Sequence, residues 1–300
     1  MLSMSLFPSE NDEPIYYSFE KDTFYYTKDE KNLCIPEYDI LSICLRIGNW
    51  CNYSCPYCLA ESNTNGSWIN EDNLGSLINF CEKITIPRIV ISGGEPTYFW
   101  KIKWLLEKLK KRERIIVLAT NGSKFIDCSN LVDWIDISLH GFDDKSHKSN
   151  TLSKDSMELI EENINKYIDT GINVGCNLLL NNDVEKASTF LQKIVQMGVK
   201  KIRLSSITQI GRGRELDNQV LNQIYIRDLA KKLSENGNVT IHIPGQMRNV
   251  NLNEYLRGYF RIEPDGFIWA EKKGPKIHDV VQIKRFISQR ITEHRKVFIG

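Results

Sequence analysis

Three cysteines within eight residues, Cys51, Cys55 and Cys58, form the densest group of reactive side chains in the chain. They lie in the polar stretch Cys51-Asn-Tyr-Ser-Cys55-Pro-Tyr-Cys58, directly after an apolar run. Three thiolates at this spacing can ligate three irons of a cubane 4Fe–4S cluster. The fourth iron then lacks a protein ligand in the motif, which suits chemistry on an exogenous ligand better than plain electron transfer. Spacing alone also leaves a zinc site open, with Cys44 as fourth ligand. Against zinc, Cys44 lies inside a β-type run (Ile43, Leu45, Ile47), and only one C-x-x-C pair is present where structural zinc knuckles use two.

Such a loop does chemistry only if a fold holds it. From about residue 40 short apolar β-type runs alternate with amphipathic helical patterns. Strands are predicted at 41–47, 88–92, 115–121, 134–140, 172–180 and 201–207, and helices at 70–83, 99–111, 129–132, 153–170 and 183–197. Asp183 and Gly198 bound the last helix with suitable start and stop signals. Strands separated by helices imply right-handed crossovers and a parallel sheet. The expected fold class is α/β, a partial (β/α)6 TIM-like barrel with its active loops after the strands. The barrel is assigned to 40–210, a short N-terminal β-hairpin extension to 1–39 (strands 15–19 and 23–27), and an α/β cap to 211–300. The cap pattern comprises a loop at Gly211-Arg212-Gly213-Arg214, a helix at 219–235, a strand at 239–243 and a basic helix at 279–294. Between the last two, runs at 259–262 and 267–270 flank Pro264-Asp265-Gly266, a hairpin turn signal.

Composition narrows the function classes. The chain has 300 residues, 41% hydrophobic and 26% charged, with 39 Lys and Arg against 38 Asp and Glu for a net charge of +1. That balance argues against disorder, and bulk attraction to nucleic acid or to an anionic membrane is not its organising principle. No apolar run approaches membrane-spanning length, and the first residues lack a basic-then-apolar signal pattern, so a cytoplasmic location is expected. In a reducing compartment clustered cysteines bind metal more often than they form disulfides. The segment Trp100-Lys-Ile-Lys-Trp-Leu-Leu-Glu-Lys-Leu-Lys-Lys reads as a barrel helix with Trp104, Leu105 and Leu109 inward and a solvated basic face.

C-x-x-x-C-x-x-C after the first strand of a βα barrel resembles the radical S-adenosylmethionine (SAM) superfamily. Ile91-Ser92-Gly93-Gly94-Glu95-Pro96 ends the second strand and matches the family's GGE motif. The resemblance covers about 40–210. It implies one 4Fe–4S cluster on Cys51, Cys55 and Cys58, with SAM chelated at the open iron and cleaved to a 5′-deoxyadenosyl radical that abstracts hydrogen from substrate. It further implies that Gly93, Gly94 and Glu95 hold the methionyl amine, and that Tyr57 lies near the adenine. Asn121, Ser138, Asn177 and Arg203 match positions that contact the ribose and carboxylate of SAM. His140, two residues after Ser138, is a candidate cavity residue. Alternation along the strand places Cys176 opposite Asn177, as a structural thiol. Cys44 and Cys81 also read as packed, while Cys34 and Cys128 have no assigned role.

The region after the barrel is similar to the SPASM and twitch branch of the superfamily, whose members bind auxiliary clusters there. No cysteine follows Cys176, and Trp269 and Ala270 stand near the expected hairpin cysteine, so a single cluster is expected. Through that branch the expected substrate is a peptide or amino-acid-derived side chain, with a nucleotide or sugar as the enzymatic alternative. A zinc- or cluster-binding scaffold without catalysis is the alternative of another class. Expected partners are the substrate, a flavodoxin- or ferredoxin-type electron donor and a separate peptide-recognition protein, with neither membrane nor nucleic acid among them.

Overall fold

The computed structural model describes residues 3–8, 14–18, 23–25, 42–84, 86–111, 114–179, 184–205, 207, 211–216, 240–242, 260–270, 272–279, 281–283, 285, 286 and 289. Near the N-terminus, β1 (Ser3–Pro8), β2 (Pro14–Ser18) and β3 (Thr23–Tyr25) form a small antiparallel sheet. The expected hairpin is β2–β3, and β1 adds a third strand that the mixed sequence Ser3–Pro8 did not advertise.

The main sheet is built in order of chain. β4 (Ser42–Arg46) leads to α1 (Glu71–Lys83), β5 (Arg88–Ser92), α2 (Ile102–Leu109) and β6 (Ile115–Thr120). β7 (Trp134–Leu139), α3 (Asp144–Thr151), α4 (Met157–Asp169), β8 (Asn173–Leu179), α5 (Val184–Gln196) and β9 (Lys201–Ser205) follow. β10 (Thr240–His242), β11 (Phe260–Ile262), β12 (Phe267–Ala270) and β13 (Lys272–Lys276) complete it. Strands β4 to β10 lie side by side and parallel, as the βα alternation requires. β11 adds on the far side of β4, also parallel, and turns through Pro264-Asp265-Gly266 into β12 and then β13. Among the described residues the sheet has ten strands and is open, with β10 and β13 at its edges. This is a partial barrel, one parallel strand longer at each side than the six expected.

One face of every central strand is apolar. Ile43, Leu45, Ile89, Ile91, Ile116, Leu118, Ile135 and Ile137 are fully enclosed beneath Leu74, Leu77, Phe80, Leu105 and Leu109 of the helices. Each such side chain contributes about 1.5–3 kcal/mol of burial. The opposite face starts with an apolar row, Cys44, Val90, Val117 and Trp134, and becomes polar toward the carboxyl ends: register aligns Ala119, Asp136, Gly175 and Lys201 in one row, and Ser138, Asn177, Arg203 and His242 in the next. Lys201 and Asp136 pair there at 3.5 Å, and Trp134 Nε1 donates to Asp136 at 2.9 Å.

Several helix boundaries differ from the sequence pattern, each for a local reason. The 129–132 pattern is a turn, closed by Leu131 and Val132 N–H groups on the Cys128 carbonyl. α3 was not foreseen because Asp144–Thr151 is nearly all polar; a capping box between Asp143 and Ser146 starts it. Leu152, left-handed at φ 52°, ends it, so α4 begins at Met157, where the Ser156 hydroxyl caps the Leu159 N–H. α2 is shorter than expected because a 3-10 turn, Pro96–Tyr98, precedes it. Trp104 is not inward but 40% exposed, the buried face being Ile102, Leu105, Leu106 and Leu109. Gly211–Glu215 is a 3-10 turn rather than an open loop. The helix expected at 219–235, Cys34, most of the basic helix at 279–294 and the side chains of Trp269 and Ala270 lie outside the described residues. Among the described residues no helix is long and apolar enough to cross a membrane.

Candidate functional site

The cysteine loop leaves the carboxyl end of β4 and folds on itself before α1. Bridges Gly48–Trp68 and Trp50–Asn63 close it, and the Cys51 N–H donates to the Asn63 carbonyl at 2.9 Å. Cys51 and Cys55 are buried and Cys58 is half-buried. Backbone donors already face two sulfurs, Tyr53 N–H to Cys51 Sγ at 3.3 Å and Ser62 N–H to Cys58 Sγ at 3.4 Å. Burial pushes the Cys51 and Cys55 thiols up to about 12, and the neighbouring cysteines add to the cost of ionising either. Thiols this hard to ionise alone are suited to a cationic centre that takes up the charge. Among the described residues no three His, Cys, Asp or Glu converge on a single metal ion. Three thiols on one loop, two of them already facing backbone N–H donors, are a donor set that a 4Fe–4S cluster would fit. Cys44 sits within β4, registered with Val90 and Arg261, as a packed strand residue.

The Gly93–Glu95 loop packs backbone to backbone against the start of the cysteine loop. Gly94 N–H donates to Gly48 O and Glu95 N–H to Trp50 O, both at 2.9 Å. A Cβ on Gly94 would lie 1.7 Å from Trp50 O, and one on Gly93 would lie 2.7 Å from Gly48 O. The glycines therefore admit the cysteine loop itself. Glu95 is 1% exposed. Its Oε1 accepts from Thr97 N at 3.1 Å, Thr97 Oγ1 at 2.7 Å and Thr120 Oγ1 at 2.6 Å, and its Oε2 from Asn121 N at 2.6 Å. Burial raises the carboxyl's affinity for protons while these four donors oppose it. A carboxylate so engaged ties the ends of β5 and β6 together, leaving the backbone of the loop to meet a ligand.

A polar web joins the third strand to the cysteines. Asn121 Nδ2 donates to Asn52 Oδ1 at 2.9 Å and faces Cys51 Sγ at 3.9 Å. Asn52 in turn donates to Ser123 Oγ at 3.0 Å and Asp155 Oδ2 at 3.2 Å. Tyr57 and His140 meet at 2.9 Å through the hydroxyl and Nδ1. Burial and the neighbouring His147 lower His140 to about 3, so the ring is neutral and accepts or donates without charge. Ser138, Asn177 and Arg203 share one row of the polar face, Asn177 Oδ1 accepting from Ser205 Oγ. Cys176 points oppositely into the apolar core, as alternation predicts, and Cys81 and Cys128 are core residues too.

The segment after β9 returns to clamp the cysteine loop. Arg212 N–H donates to Cys58 O at 3.1 Å. Its guanidinium reaches Cys55 O at 2.9 and 2.8 Å and Ser62 O at 2.8 Å. Gly211, at φ 59°, lets this happen, since a Cβ there would lie 2.5 Å from Cys58 O. Arg212, Asn52, Ser123 and Asp155 were not singled out from sequence. Arg212 stood in a stretch read as a loop, and only its basic charge beside two glycines hinted at more.

Comparison with known proteins decides the family. The Radical SAM superfamily model matches residues 45–194, half of the chain, from the cysteine loop through the ends of β5 to β8. The chain belongs to the radical SAM superfamily. This is a superfamily of enzymes that use a 4Fe–4S cluster and SAM. Among curated relatives, 7-carboxy-7-deazaguanine synthase of Haemophilus influenzae is 35% identical over 94 residues, 31% of this chain and 41% of that protein. A probable GTP 3′,8-cyclase of Methanococcus maripaludis is 28% identical over 144 residues, 45% of this chain and 47% of that protein. The chain thus spans less than half the length of these two relatives. In fold, this radical SAM chain is similar to SuiB of Streptococcus suis bound to precursor peptide SuiA. The TM-score is 0.66 at 12% identity, over 80% of this chain and 63% of that one. It is also similar to anSMEcpe with bound AdoMet and Cp18Cys peptide, with a TM-score of 0.60 at 17% identity over 84% and 81% of the chains.

Proposed function

We propose that this chain holds one 4Fe–4S cluster on Cys51, Cys55 and Cys58, cleaves SAM reductively, and acts on a C–H bond of a peptide or amino-acid-derived substrate. The observation that carries the chemistry is the stacking of the Gly93–Glu95 loop on the cysteine loop at adjacent strand ends. When bound, the cluster and SAM supply a 5′-deoxyadenosyl radical. The chain's own part is to hold and exclude. Gly93 and Gly94 present backbone to the methionyl amine, and Tyr57, braced by His140, stands beside the adenine. Asn121, Ser138, Asn177 and Arg203 would contact the ribose and carboxylate of SAM. Tight positioning keeps the radical on one C–H bond and away from solvent. The electron comes from a flavodoxin- or ferredoxin-type donor.

The peptide reading rests on likeness of fold to proteins solved with peptides bound. A nucleotide substrate is the second reading, favoured by the sequence relatives that act on GTP or make a deazaguanine. Anaerobic reconstitution tests the chemistry: iron and sulfide load, and reductant with SAM releases 5′-deoxyadenosine. Zinc retention without SAM cleavage would overturn it. Turnover with peptide and nucleotide pools, followed by mass spectrometry, separates the two substrates.

A further inference from the structure

The turn before α2 and the exposed face of α2 carry a surface the proposed reaction does not use. Trp100 is 64% exposed and Trp104 40% exposed, both large apolar side chains. Lys101 and Lys108 lie over the Trp104 ring at 5.6 and 5.9 Å from its centroid. Residues 100–111 hold Lys101, Lys103, Lys108, Lys110 and Lys111 against one acid, Glu107. Lys101 pairs with Glu71 and Lys110 with Asp133, leaving Lys103, Lys108 and Lys111 to give the face its sign. Lysines flanking exposed tryptophans make an apolar contact with a cationic rim, complementary to an acidic protein surface.

Beneath this face the rings are contiguous down to the cysteine loop. Trp100 meets Trp68 edge to face at 6.5 Å, Trp68 lies 5.6 Å from Trp50, and Trp50 directly precedes Cys51. Tyr98 closes the inner end at 5.3 Å from Trp50, with Lys124 over its ring at 4.8 Å. Packed side chains without a gap are a better medium for electron tunnelling than water-filled space.

We propose that this face is where an acidic one-electron carrier protein docks, and that the rings from Trp100 to Trp50 connect it to the cysteine loop. The assignment rests on the radical SAM reading of Cys51, Cys55 and Cys58. One electron leaves the carrier's reduced flavin and arrives at the cluster; no bond forms or breaks, and the flavin is oxidised by one electron.

The test uses the reconstituted chain and chemically reduced flavodoxin, an acidic flavin protein. Two variants, Lys103→Glu with Lys108→Glu, and Trp100→Ala with Trp104→Ala, are compared with wild type. Binding is read as the salt-dependent dissociation constant, and cluster reduction as stopped-flow loss of visible absorbance, with dithionite as the small reductant. Charge reversal should weaken flavodoxin binding at least tenfold and flatten its salt dependence. Removing the tryptophans should slow reduction by flavodoxin several-fold, with dithionite reduction unchanged in both variants. Flavodoxin kinetics matching wild type in both variants would overturn the proposal. So would intact kinetics with loss of binding to a poly-glutamate peptide, which would give the face to an acidic peptide. A wild-type chain that loads no chromophore fails the radical SAM reading instead, a result distinct from either.

Discussion

Arg212 offers the sharpest check on how the cysteine loop is held. Arg212→Ala removes three charge-assisted hydrogen bonds from the Cys55 and Ser62 carbonyls and leaves the main-chain bond to Cys58 O. Bonds of this kind contribute about 1.5–3 kcal/mol each, and two on one acceptor are not additive. Because the side chain is half-buried, about 3 kcal/mol is a reasonable total for the ordered form of the loop. At 1.4 kcal/mol per tenfold, the loop shifts roughly a hundredfold toward arrangements that do not present all three sulfurs together. The guanidinium also favours the Cys55 thiolate, so its loss acts in the same direction. The assay is the rate at which a ferrous chelator strips iron from reconstituted protein, alongside the unfolding midpoint of the metal-free chain. Release should be one to two orders faster in the alanine variant, with Arg212→Lys intermediate because a single ammonium cannot span both carbonyls. Wild-type release in the alanine variant would refute the clamp. A fall in the metal-free midpoint with unchanged release would make Arg212 merely structural.

Three further outcomes follow from the same contacts. Gly94→Ala should cost at least about 3 kcal/mol and abolish cluster loading, since its Cβ would fall 1.7 Å from Trp50 O; Gly75→Ala, on α1 with nothing within 4 Å, should instead stabilise by about 0.5–1 kcal/mol, and urea titrations of both check the pair. Asn52→Ala should destabilise by roughly 1–3 kcal/mol and speed chelation, while Asp155→Asn, which keeps an oxygen for the Asn52 amide, should lose about half as much. Burial lowers His140, to about 3, and His147 from the ordinary imidazole value near 6.5 that both recover when unfolded. From these two rings the unfolded chain binds more protons below pH 6.5, so their contribution to stability should fall as pH drops from 6.5 toward 4, with the buried Glu95 carboxyl, raised by burial, opposing part of the fall. Urea midpoints at pH 7.5 and 5.0 test this, and His140→Phe with His147→Phe should flatten the slope.

The parallel sheet was legible because its strands are short runs with apolar residues at alternate positions and its main helices have clear apolar periods. Arg88–Ser92 and Phe267–Ala270 fall where the pattern put them. What the pattern missed lacks periodicity. α3 is polar throughout and depends on one capping box, so no apolar spacing marks it. Trp104 shows the opposite error: its hydrophobic character suggested the core, but Leu105, Leu106 and Leu109 already fill the inward stripe of α2. The fourth position of that turn has only the surface left to it, and Lys101 and Lys108 cover the ring.

The site divides along the same line. Cys51, Cys55, Cys58, Gly93 and Gly94 are visible because their types and spacings are rare in any other role. Glu95 was visible, yet its engagement was not. A carboxylate after two glycines looks available for an ammonium, and only the fold shows that Thr97, Thr120 and Asn121 already occupy both oxygens. Arg212 was hidden for a topological reason. It follows Cys55 by 157 positions, and no local spacing encodes a contact that forms only when β9 is laid beside β8. The cysteine loop is thus held from three directions that come from three distant stretches of chain: the glycines after β5, Asn121 after β6 and Arg212 after β9. Each strand end supplies one support, so the sheet must be assembled before the three sulfurs are fixed. Loading a cluster is then a readout of sheet assembly as well as of the cysteines, and any core substitution that splays β5 from β6 should lose iron before it loses secondary structure.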